Sequence, residues 1–167
     1  MHIDIWSDVV CPWCYLGKRR LEKALAGFEG RSNVTIGHRA FQLDPTRPKG
    51  ETTSRRTMLK SKYRLTDDRV REMDHNMEVM AAAEGLEYHL TEKGQTGNTL
   101  DAHRLVHLAA GHGREDQMVD RLYKAWKAWC EDMVLTVGNK NTLGRELRAA
   151  VAGLRRRRDP KPFYDRI

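Results

Sequence analysis

Apolar and polar residues alternate from Ile3 to Ser7, and HIDIWSDVV is rich in β-branched and aromatic residues, so this run predicts a strand. Leu16, Leu21, Leu25 and Phe28 then recur at helical spacing. Pro12 suits the first turn of that helix, where its missing N–H has no intrahelical partner to lose. Gly27 and Gly30 mark its end, and NVTIGHRAFQL, closed by Asp44-Pro45, reads as a second strand. Residues 46–54 read as a polar loop. Helical patterning returns over Ser54–Lys62 and over Thr66–Glu84, where Thr66 caps, acids fill the first turn and Gly85 stops the helix. LEYHL, residues 86–90, reads as extended. A helix opens near Asn98 or Thr99 and closes at Gly111 or Gly113, and another spans Arg114 to Asp132 with Met118, Leu122, Trp126 and Trp129 on one side. The order is strand, helix, strand and a run of helices. A crossover helix between two strands favours parallel pairing.

Two cysteines stand where the first strand gives way to the first helix. Cys11-Pro12-Trp13-Cys14 admits three readings: a working dithiol, half of a metal site, or two ordinary buried thiols. Structural zinc needs four ligands, and the only other cysteine is Cys130, while His38, His75, His89, His103 and His107 form no second pair. Position favours the dithiol. Unpaired amides and the helix dipole stabilise an anion at a first turn, so Cys11 is expected as a low-pKa thiolate nucleophile. Cys14, one turn further in, is expected to release the mixed disulfide. Pro12 and Trp13 bring no charge between the two sulfurs.

Charge and length adjust this picture. The 167 residues suffice for one domain with an appendage, and 40% apolar with 32% charged residues fits a helix-rich globular chain. No apolar run approaches the length of a membrane span, and MHIDIWSDVV lacks the basic and apolar regions of a secretory signal, so a cytoplasmic protein without membrane contact is expected. The net charge of +7 is uneven: Gly138–Ile167 holds nine Lys/Arg against three Asp/Glu, a net of +6, which leaves +1 for the first 137 residues. A basic tail on a nearly neutral body suits a polyanionic partner or simple solvation.

WSDVVCPWCYLGKRRLEKAL, FQLDP and TGNTLDAHRLVHLAA together resemble the DsbA-family thioredoxin-fold oxidoreductases of the FrnE-like branch, over about Ile3 to Trp126. That branch is similar to 2-hydroxychromene-2-carboxylate isomerases and kappa-class glutathione transferases, but the intact Cys-x-x-Cys favours redox exchange. The resemblance implies an α/β thioredoxin-like fold with a helical insertion and dithiol–disulfide exchange through Cys11 and Cys14. It implies no cofactor beyond the dithiol. Expected partners are protein or small-molecule disulfides and dithiols, glutathione among them. By the same resemblance Asn98 and His103 face the dithiol, beside Pro12 and Trp13, with an N-cap and a packing role as their respective alternatives. Phe41 and Gln42 are expected in core or strand positions.

The family's pattern stops after LYKAW. No proline follows Trp126 in a Val-Pro strand entry, so the second half of the thioredoxin domain is expected to be replaced by a tail. The expected division is residues 1–45 as a βαβ half, 46–126 as a helical insertion and 127–167 as the tail. Helix, helix and basic hairpin in that tail resemble the C-terminal winged helix of phage and plasmid primase-helicases. That likeness implies Lys140, Arg145 and Arg148 near a nucleic-acid groove, and Arg155, Arg156, Arg157 and Arg158 on phosphates. Two strands cannot make a covered sheet alone, so the tail or a second chain in a homodimer is expected to supply the missing edge.

Overall fold

The computed structural model describes residues 1–135, so the tail positions named above, Lys140 through Arg158, lie outside the described residues. Strand β1 (His2–Ser7) leads into helix α1 (Pro12–Ala26), and a 3-10 turn over Glu29–Asn33 returns the chain to β2 (Thr35–Ala40). The two strands pair in parallel, with His2 opposite Thr35 and Ser7 opposite Ala40, as the crossover helix requires. β2 stops at Ala40. Phe41 lies beyond it and is half exposed, which corrects the expectation of a core or strand role. Phe28 is also exposed and folds over Gly30, where a Cβ would meet its ring at 2.8 Å.

Helices α2 (Arg55–Tyr63) and α3 (Asp67–Ala82) follow, each with a side-chain cap: Ser54 Oγ accepts the Thr57 amide and Thr66 Oγ1 accepts the Arg69 amide. Gly85, at φ 75°, ends the α3 region in the left-handed conformation while the Leu86 amide closes back on the Ala81 carbonyl. Beyond it the structure corrects the sequence reading. Leu86–His89 is not a strand, and Leu90–Lys93 forms a one-turn helix, α4. A short antiparallel pair, β3 (Thr52–Ser54) with β4 (Gln95–Gly97), joins the ends of the α2–α4 excursion. α5 (Leu100–Ala110) and α6 (Glu115–Leu135) complete the described chain.

One core unites these parts. Leu16, Met77, Ala81, Val106, Ala109 and Leu122 are buried against one another, so α1, α3, α5 and α6 share an apolar centre. Tyr15 of α1 stacks on Tyr123 of α6 with ring centroids 4.6 Å apart. Two ion clusters fasten the helices. Arg55 of α2 reaches the fully buried Asp74 of α3. Lys18 of α1, only 4% exposed, meets Glu22 of its own helix and Asp116 and Asp120 of α6. His38 of β2 adds Nε2 to Asp116 at 3.1 Å. α6 is thus locked across α1 and β2, directly behind the first turn of α1. No helix among the described residues is long and apolar enough to cross a membrane.

Candidate active site

Cys11 is the N-cap of α1, with extended backbone, and Pro12 occupies the first helical position. The Asp8 carbonyl accepts the Cys11 amide, and the Cys11 carbonyl accepts the amides of Cys14 and Tyr15, which fixes the strand-to-helix turn. Both cysteines are free and partly exposed, and they approach to 3.0 Å. Trp13 projects outward, 52% exposed. The Pro12 carbonyl accepts the Tyr88 hydroxyl at 3.1 Å, tying the turn to the segment before α4. Burial pushes the hydroxyls of Tyr88 and Tyr123 above the usual phenol range, so both stay neutral beside the thiols.

At this separation the two thiols titrate as a pair. The hydrogen bond from the Cys11 thiol holds Cys14 down to about 7, against burial and the nearby Asp8 carboxylate. Cys11 is pushed up, first because its proton is committed to Cys14 and next because it is buried. A thiolate on one sulfur is thus steadied by the thiol of the other. The amides of Cys14 and Trp13 face the Cys11 sulfur and ease the charge there, whereas Cys14 has the Asp8 amide and a carboxylate for neighbours. Access also differs. Cys11 borders a cavity of about 50 Å³ with Tyr15, Tyr88 and Trp126, and an open groove of about 520 Å³ along α2 and α3. Cys14 borders neither.

Asp8 is a site residue that sequence reasoning passed over. It is 1% exposed and one oxygen, Oδ2, accepts the Leu43 amide at 2.8 Å. The other, Oδ1, has no hydrogen-bond partner among the described residues and faces His103 Nε2 at 3.5 Å, itself buried and without one. The signal was an acid three residues before Cys11, in a turn too short to turn it away from the thiols. His103 meets Asp8 from the first turns of α5. The Asn98 amide donates to the Arg47 carbonyl at 2.7 Å and its oxygen accepts the Leu100 amide at 3.0 Å, while the N-cap of α5 is Thr99. Cys130 is buried in α6, its thiol pushed up to about 12 by burial, and it borders the small cavity that Cys11 also lines.

The chain superposes on a probable DsbA oxidoreductase from Streptomyces coelicolor with a TM-score of 0.72 and 38% identity, covering 91% of this chain and 68% of that one. It is 37% identical to the uncharacterized protein YwbO of Bacillus subtilis over 46 residues, 28% of this chain, and so spans only 21% of that relative's length. The model of the DSBA-like thioredoxin domain matches residues 2–132. The fold is a DsbA-like thioredoxin fold, and the chain belongs to the DSBA-like thioredoxin domain family.

Proposed function

We propose that this protein is a thiol–disulfide oxidoreductase of the FrnE-like branch, with Cys11 as nucleophile and Cys14 as resolving thiol. The observation that carries the reading is the 3.0 Å approach of two free cysteines at the N-terminus of α1, only one of which borders open cavities. In the reductive direction one proton stays on Cys14, and the Cys11 thiolate attacks a substrate disulfide. A Cys11–substrate bond forms and the first substrate sulfur leaves as a thiolate. Cys14 then loses its proton and attacks the Cys11 sulfur. The Cys11–Cys14 disulfide closes, the second substrate sulfur leaves, and two electrons have passed to the substrate. The reverse sequence oxidises a dithiol.

The second step needs a proton acceptor beside Cys14. The unpartnered Oδ1 of Asp8 is the group placed for it, with His103 positioned to share the proton. The FrnE-like subtype rests on sequence resemblance, and it, the division at about residues 45 and 126 and a cytoplasmic setting belong to this proposal.

The test is the reduction rate of a protein disulfide such as insulin, with the full chain and a dithiol donor. Cys11→Ser is expected to abolish turnover. Cys14→Ser is expected to stop it after one covalent adduct. A wild-type rate in Cys11→Ser would overturn the assignment.

A further inference from the structure

We propose that the proton lost by Cys14 leaves the protein through two buried histidines, His103 and His38, bridged by one water, and reaches solvent at Asp116. This rests on the dithiol reading above, with Asp8 as first acceptor, and adds the route by which that acid is emptied. Asp8 is 1% exposed and has no bulk water to hand a proton to. An acid that keeps its proton cannot serve the next turnover.

Unpartnered polar atoms mark the route. Asp8 Oδ1 and His103 Nε2 lie 3.5 Å apart, both buried and both without a hydrogen bond among the described residues. Two bare acceptors face each other in this way, and a proton arriving on one closes the bond to the other. His103 of α5 and His38 of β2 are 6% and 3% exposed, and they line one cavity together with Ser7, Tyr123 and His107. Its volume of about 10 Å³ is the room of about one water, and its polar walls supply that water with partners. His38 Nδ1 is likewise buried and unpartnered among the described residues, while its Nε2 lies 3.1 Å from Asp116 Oδ1. An ionised carboxylate only accepts, so Nε2 carries the hydrogen and Nδ1 of the neutral ring is an open acceptor. Buried polar atoms without partners are rare, and two histidines that each hold one around a single cavity point to a water between them.

Each member of the chain gives up one proton as it takes one, so no charge is stranded inside. Cys14 passes its proton to Asp8 Oδ1, and Asp8 passes it to His103 Nε2. The hydrogen on the other ring nitrogen of His103 goes to the water, and the water gives one to His38 Nδ1. The Nε2 hydrogen of His38 moves to Asp116 Oδ1 and from there to solvent, because the Asp116 side chain is 62% exposed. The opposite half-reaction returns a proton to Cys14 along the same chain and restores the starting tautomers. Charges around the exit keep Asp116 in place: Lys18 of α1 meets its Oδ1 at 3.1 Å and also faces Asp120, while Arg39, beside His38 in β2, is turned to Asp4. His107, one turn along α5 from His103, is the other group on the cavity that reaches solvent, but His38 is the one already joined to a carboxylate.

The test follows, in the full chain, release of a Cys11–peptide mixed disulfide by Cys14, with alkylation of Cys11 read alongside. His38→Gln keeps an amide donor for Asp116 but passes no proton, and His38→Ala leaves room for free imidazole. Release is expected to slow by about fivefold in both, while alkylation of Cys11 is unchanged. Added imidazole is expected to bring His38→Ala back to within about twofold of the native rate and to leave His38→Gln and the native protein as they were. His107→Gln is expected to release at the native rate. Native release in His38→Gln overturns the route. So does slow release in His38→Ala that imidazole leaves slow, which marks a packing role, or slow release in His107→Gln, which moves the exit. Should His38→Ala not fold, His38→Gln decides: slow release with unchanged alkylation supports the route, and slowing of both steps alike overturns it. If Cys11 forms its adduct while release is native in every variant, the route fails and the oxidoreductase stands. If the native protein forms no adduct at Cys11, the oxidoreductase reading fails with it.

Discussion

Removing one sulfur of the pair isolates what the other contributes. In Cys14→Ala the Cys11 thiolate keeps the amides of Trp13 and Cys14 but loses its thiol neighbour. A hydrogen bond to a charged group contributes about 1.5–3 kcal/mol, and one pKa unit corresponds to about 1.4 kcal/mol, so the lost bond is worth about one to two units. Both sulfurs are partly exposed, so water replaces some of the lost bond and the lower end of that range applies. The first ionisation near neutrality, about 7 in the intact pair, is therefore expected to rise by about one unit. Thiolate absorbance in the ultraviolet, followed against pH with Cys130 replaced by Ala in both proteins, reads the midpoint. Cys130 is pushed up to about 12 and does not contribute near neutrality, so its removal only cleans the baseline. A midpoint that stays put or falls in Cys14→Ala would show that the thiol–thiolate bond is not what lowers it, and the account of a thiol steadying its partner's thiolate would be wrong.

Other outcomes follow from the same structure. Asp8→Asn keeps an oxygen for the Leu43 amide but cannot take a proton, so release of a trapped mixed disulfide by Cys14 is expected to slow by about tenfold or more while alkylation of Cys11 changes little; stopped-flow release kinetics against pH check it. Replacing Arg55 by Met leaves the buried Asp74 carboxyl without its cation, and is expected to cost about 3–5 kcal/mol in urea unfolding. Burial works to raise the carboxyls of Asp116 and Asp120, yet Lys18, His38, Arg19 and Lys124 outweigh it and hold both below the usual carboxylate range. A lowered folded pKa gives stability that is present above the unfolded value, about 3.9, and is lost as pH falls through the folded one. Thermal unfolding between neutral and acid pH is thus expected to show a drop below about pH 4 that Lys18→Met flattens.

The parallel βαβ unit was legible because its signals are local: alternation in HIDIWS, proline at the helix start and apolar spacing through Leu25. The cysteine placement was legible for the same reason. What the sequence hid arises from contacts distant along the chain. β3 and β4 are three residues each and pair Thr52 with Gly97, far too short and too separated to leave a period-two pattern. Asp8 drew no notice because an acid in a turn is ordinary; it becomes a site residue only when α5 brings His103 to it, ninety-five positions on. The groove escaped because Trp13, Leu43 and Tyr63 lie on three separate segments and meet only in the fold.

The central claim, that Cys11 attacks and Cys14 releases, is tested most directly by trapping. Cys14→Ser and Cys11→Ser are each mixed with a cysteine-containing peptide disulfide, quenched in acid and digested, and the adduct is located by mass spectrometry. The account predicts a stable peptide adduct on Cys11 in Cys14→Ser and little or none on Cys14 in Cys11→Ser. A prompt adduct on Cys14, or none on either sulfur, would contradict it.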